Sequence, residues 1–139
     1  MKKIVLLAAL IGTLSFTSCS DDDGDWTPMK WQTSVKTEKD GTITVPSQGG
    51  SYIFVCTNYN SPWTCSVAEY VNGTMEYAEH IYDDNWKGFI TPYLDAEWQD
   101  NILTVTVSPN TTGKERTMMV EVTAGDIFDN FTFKQVAAE

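Results

Sequence analysis

From Trp31 onward, short runs of β-branched and aromatic residues alternate with turn-forming clusters at the spacing of an antiparallel sandwich. Strands are predicted near 31–37, 42–46, 51–57, 63–71, 74–82, 101–107, 116–123 and 129–136. Breaks fall at Asp40-Gly41, Ser47 to Gly50, Asn58 to Pro62, Asn72-Gly73, Pro109 to Gly113 and Gly125-Asp126. No segment carries a helical apolar period over three turns. Asn72-Gly73 is the sharpest signal, because a two-residue type I′ hairpin needs positive φ at both central positions, so 66–71 should pair with 74–79. Leu103, Val105 and Val107 alternate with Ile102, Thr104 and Thr106, which puts the first three on the core face. Phe131 and Phe133 belong to a closing strand. The pattern predicts one all-β domain over 31–139.

The N-terminus follows another pattern. Lys2 and Lys3 precede an apolar stretch from Ile4 to about Phe16, which is the layout of a cleaved secretory signal peptide. It is shorter than the roughly 20 apolar residues that a membrane span requires. Leu14-Ser15-Phe16-Thr17-Ser18-Cys19 resembles the bacterial lipobox, in which small residues precede a cysteine that is acylated and becomes residue one. Phe16 stands where that motif usually has Leu; Thr17 and Ser18 fit it. The resemblance implies a leader over 1–18 and lipidation of Cys19, followed by a tether over 19–30. Several acyl chains on one cysteine anchor stably where a single chain is marginal. Ser20-Asp21-Asp22-Asp23-Gly24-Asp25 looks like the acidic export signal of Bacteroidetes-type lipoproteins, which implies the outer membrane and display at the cell surface. The same residues also serve as a solvated, self-repelling tether.

Composition and charge narrow the partners. At 139 residues the chain has room for one core, and its 12% aromatic share favours strands. The formal charge of −10 becomes −12 once Lys2 and Lys3 leave with the leader, with seven basic against nineteen acidic groups remaining. Nucleic acid is excluded as a partner, since a phosphate polymer demands clustered Lys or Arg and the basic residues here are scattered singly. Membrane attachment must come through the lipid anchor alone.

Within 43–137 several short motifs recur in a known family. Gly49-Gly50-Ser51 opens a strand, Asn60-Ser61-Pro62-Trp63-Thr64 carries a Trp into the next, and Val105 to Asn110, Arg116-Thr117 and Phe131 to Gln135 follow. Together they resemble the BACON domains, named for association with Bacteroidetes and for frequent placement N-terminal to carbohydrate-active enzymes. The resemblance implies an immunoglobulin-like antiparallel β-sandwich of about seven to nine strands and a carbohydrate-binding role. The stretch from Trp63 to Asn101 departs from that pattern, being longer and more aromatic.

Candidate chemistry is sparse. His80 is the only histidine, and no nucleophile elbow, Cys-His pair or phosphate-binding loop is present. No enzyme, cofactor or metal site is expected; Glu79 and His80 would point to opposite faces of a strand and could not converge on an ion. Cys56 and Cys65 read as either a disulfide in an oxidising envelope or two buried thiols, and both readings stay open. The stretch 77–98 mixes Tyr77, Tyr82, Trp86, Phe89, Tyr93 and Trp98 with carboxylates and amides. Flat aromatic faces stack on the C–H face of a pyranose while polar groups take its hydroxyls, so Tyr82, Trp86, Tyr93 and Trp98 are the candidate glycan platform. The opposing expectation is that these aromatics plug a small core and cover an edge strand. The expected function is a non-enzymatic, glycan-binding surface lipoprotein. The alternative is a structural or protein-interaction module of an envelope complex.

Overall fold

The computed structural model describes residues 26–79 and 88–139. The leader, Cys19 and the tether as far as Asp25 lie outside the described residues, as do His80, Tyr82 and Trp86.

Ten strands are described: β1 (Trp31–Gln32), β2 (Ile43–Val45), β3 (Gly50–Cys56), β4 (Trp63–Val71), β5 (Thr74–Tyr77), β6 (Gly88–Ile90), β7 (Leu94–Gln99), β8 (Ile102–Val107), β9 (Arg116–Ala124) and β10 (Ile127–Gln135). They form two five-stranded sheets, ordered β1-β3-β8-β7-β6 and β2-β10-β9-β4-β5, so the all-β sandwich expected from the pattern is the fold. Every strand pair is antiparallel except β2 with β10, which run parallel with Ile43 beside Phe133. Asn72 and Gly73 both take positive φ, 51° and 81°, and join β4 to β5 with Val71 opposite Thr74, as the hairpin signal required.

The core lies between the sheets. Leu103, Val105 and Val107 are buried as predicted, facing Val67, Met118, Val120, Val122 and Phe133. At one edge Trp31, Phe54 and Phe131 pack together, with ring centroids 5.0 Å apart for Trp31–Phe131 and 4.1 Å for Phe54–Phe131. Trp31 Nε1 donates to Asp129 Oδ2 at 2.8 Å, which satisfies the one polar atom of that ring.

Two expectations are corrected, and one open alternative is decided. The tether, drawn to residue 30, ends sooner: Met29 is buried, Asn58 Nδ2 donates to the Pro28 carbonyl at 3.0 Å, and Tyr59 Oη donates to the Thr27 carbonyl at 2.6 Å. Second, β6 and β7 were not predicted and β5 stops at Tyr77, so the sandwich has ten strands among the described residues. Of the two readings left open for Cys56 and Cys65, the structure has the free thiols. Cys56 is buried on β3, whereas Cys65 is the extra residue of a β-bulge between Thr64 and Ser66 on the other sheet. The bulge shifts the alternation, so Thr64 and Val67 face the core while Trp63 faces solvent. Cys65 Sγ donates to the Glu121 carbonyl at 3.4 Å, and burial together with the Glu121 charge pushes this thiol above its usual range.

Candidate functional site

The β4–β5 hairpin sets Glu69 directly opposite Glu76 and places Tyr77 beside Ala68. Like charges facing each other across a hairpin destabilise it unless a cation intervenes. Arg116 at the start of β9 supplies one, with its Nε 3.0 Å from Glu69 Oε1 and both side chains largely withdrawn from water. The Arg116 guanidinium also lies 5.7 Å from the centroid of the Tyr93 ring, a cation–π arrangement. Tyr93 is held by the tight connection from β6 to β7. There Thr91 Oγ1 donates to the Leu94 carbonyl at 2.6 Å and accepts from the Leu94 amide at 2.9 Å, while Pro92 pre-sets the backbone between them. The Ala78 amide donates to the Val67 carbonyl at 2.8 Å, extending the hairpin past Tyr77 and fixing the approach to Glu79.

The β4–β5 hairpin of one sheet and the β6–β7 connection of the other enclose an open cleft of about 320 Å³. Glu69 and Tyr93 line it together with Glu76, Tyr77, Glu79 and Ile90. Tyr77 is 63% exposed and presents its ring to solvent, whereas Tyr93 is half-buried. Burial first, and then the Glu69 charge, raise the Tyr93 phenol above its ordinary value, partly opposed by Arg116. The cleft therefore offers two aromatic rings and an apolar wall beside three carboxylates, while the Arg116 guanidinium holds Glu69 and Tyr93 from outside the lining. Such a lining can stack on an apolar face and accept hydrogen bonds from hydroxyl groups. Among the described residues no cluster of His, Cys, Asp and Glu side chains could hold a metal ion.

Of the two platform residues among the described residues, Tyr93 lines the cleft. Trp98 is a correction: it is 8% exposed in the core, and its Nε1 donates to the buried Thr64 Oγ1 at 2.9 Å, so neither ring face is available for stacking. Tyr82 and Trp86 lie outside the described residues. Glu69, Glu76 and Arg116 escaped the sequence reading, Arg116 because it reaches Glu69 from a strand remote in the chain. The Asn72-Gly73 turn contained the missing signal, since counting outward from it pairs Glu69 with Glu76.

Comparison with known proteins gives one decisive relation. The NMR structure of a protein from Bacteroides thetaiotaomicron is 37% identical to this chain with a TM-score of 0.71, over 86% of this chain and 96% of that one. This chain belongs to the family of that Bacteroides protein. Because nearly the whole Bacteroides chain is spanned, the family relation is one of entire domains and takes in most of the sandwich. The M1 domain from titin aligns over 81% of this chain and 100% of its own, at 14% identity and a TM-score of 0.45. No protein-family model matches the chain, and no curated protein does.

Proposed function

We propose that the protein is a non-enzymatic, lipid-anchored protein of the outer cell surface that binds glycan in the cleft between β5 and the β6–β7 connection. The observation that carries this reading is the convergence of Tyr77 and Tyr93 with Glu69, Glu76 and Glu79 on one open cleft of about 320 Å³. That volume falls at the lower end of the roughly 300–1,000 Å³ of small-ligand sites, enough for one or two sugar rings. The leader, Cys19 and the acidic residues after it support the anchored setting, and kinship with a Bacteroides protein agrees with it. The BACON-like motifs over 43–137 support the carbohydrate reading. Three carboxylates in the lining favour neutral or amino sugars and disfavour uronate or sulfated chains.

The test is titration of the chain from Ser20 onward with a panel of neutral and acidic plant and host polysaccharides, read by calorimetry and tryptophan fluorescence. Saturable binding to a neutral or amino glycan is expected, weakened about tenfold by Tyr77→Ala with the fold intact, the scale of one stacked ring. Binding that ignores Tyr77→Ala would move the site elsewhere. Silence across the panel would instead favour the protein-interaction role, for which the outer face carrying Ile53 and Ile102 is exposed.

A further inference from the structure

A second group of aromatics lies far from the cleft. Trp63 and Phe128 both pair with Thr123 of β9, so the three side chains form one row across the outer face of the second sheet. Neighbouring strands are about 4.8 Å apart, which sets the two aromatics roughly 10 Å from each other. Trp63 is 47% exposed and Phe128 62%. This row sits where β4 begins, β9 ends and β10 begins, which is also the end at which the chain enters the fold. Trp26, 61% exposed, leads directly into Thr27 and Pro28, and the side chains of Tyr59 and Asn58, in the loop before Trp63, hold those two carbonyls. Three large exposed aromatics thus gather at the entry end, while Glu69 of the cleft lies six residues further along β4, about 20 Å away.

We infer that this end of the sandwich rests on the membrane, with Trp26, Trp63 and Phe128 at the boundary between lipid headgroups and acyl chains. The inference depends on the lipid anchor at Cys19 proposed above. Six residues lie between Cys19 and Trp26, so Trp26, seven steps along the chain, lies at most about 25 Å from the anchor even when the chain is fully extended. A flexible segment of that length spans about 15 Å on average. The anchor therefore confines this end to the bilayer surface without any intrinsic lipid affinity, and indole rings are favoured at that depth. The charge of −12 on the processed chain opposes both self-association and anionic lipid, which leaves a zwitterionic headgroup layer as the occupant. Seated in this way, the domain holds its cleft away from the membrane, open to polymers in the medium.

The test uses the full lipidated chain, isolated from membranes and reconstituted in vesicles of phosphatidylethanolamine and phosphatidylcholine. Half of the preparations carry bromine on the acyl chains close to the headgroup, where it quenches tryptophan on contact. Fluorescence should be lower in the brominated vesicles, and the difference should shrink by at least half in a chain carrying Trp26→Phe and Trp63→Phe with an unchanged melting temperature. Equal fluorescence in both vesicles, or quenching that the double substitution leaves untouched, would overturn the inference. The mass of the Cys19 peptide is read on the same sample. Acyl chains without quenching would reject the seating alone, whereas a bare thiol would reject the anchor and the seating together.

Discussion

Gly49 and Gly50 illustrate how a short motif acquires a physical reason. Gly49 adopts a φ of 82°, and a Cβ placed there would meet the Val107 carbonyl oxygen at 2.0 Å, against backbone that cannot move aside. Gly49→Ala is therefore expected to cost about 3 kcal/mol, combining a clash with a left-handed backbone, as denaturant unfolding would measure. The glycine pair was visible in the sequence as a strand opener; its close approach to Val107 was not, because β8 lies more than fifty residues further along the chain. Tyr93 gives a prediction in pH. Its phenol is raised in the folded state by burial and by Glu69, so the neutral form is the one the fold stabilises. That contribution is complete below the ordinary value of 10.0 and is lost as pH rises through the higher folded value. Tyr52, also raised by burial, adds to the same slope. The melting temperature should hold steady between about pH 7 and 9 and decline above about 10, with a shallower decline in Tyr93→Phe.

At the scale of strands, the elements with a private signal were legible. The β4–β5 hairpin announced itself through Asn72-Gly73, and β8 through its strict alternation. Strand β7 alternates just as clearly, with Leu94, Ala96 and Trp98 inward and Asp95, Glu97 and Gln99 toward solvent, yet its aromatic content suggested a binding stretch. Its turn is the reason it was missed: Asp100 takes a φ of 54° in a two-residue link to β8 without the glycine that usually marks such a position. The bulge at Cys65 was likewise silent, since an extra residue leaves no mark in composition, and every side chain before it changed faces. One consequence is the hydrogen bond from Trp98 to Thr64, which ties the two sheets together through buried polar atoms. Thr64→Val should leave the indole N–H without a partner and lower stability by about 1–3 kcal/mol in chemical denaturation, with little change in the fold as seen by circular dichroism.

Across the whole molecule the two ends of the sandwich differ in kind. One end receives the chain and carries exposed aromatics; toward the other lies a cleft whose tyrosines and glutamates come from β4, from β5 and the residues just after it, and from the β6–β7 connection. Neither end could be assembled from the sequence alone, because the order of strands within each sheet has no local signature. That order also has a temporal side. Strand β10 is not an edge: it lies between β9 and β2, contributes Phe133 to the core, and follows every other described strand in the chain. Its parallel partner β2 precedes it by about ninety residues. A chain stopped after Ala124 would leave Met118, Val120 and Val122 without the neighbouring strand and should show no cooperative unfolding transition by calorimetry. Synthesis therefore releases a polypeptide that cannot close until residue 135 has emerged, and long-range pairing of this sort is intrinsically slow, on the order of milliseconds to seconds. Such late closure keeps the emerging chain pliable, and the last strand to arrive acts as the latch.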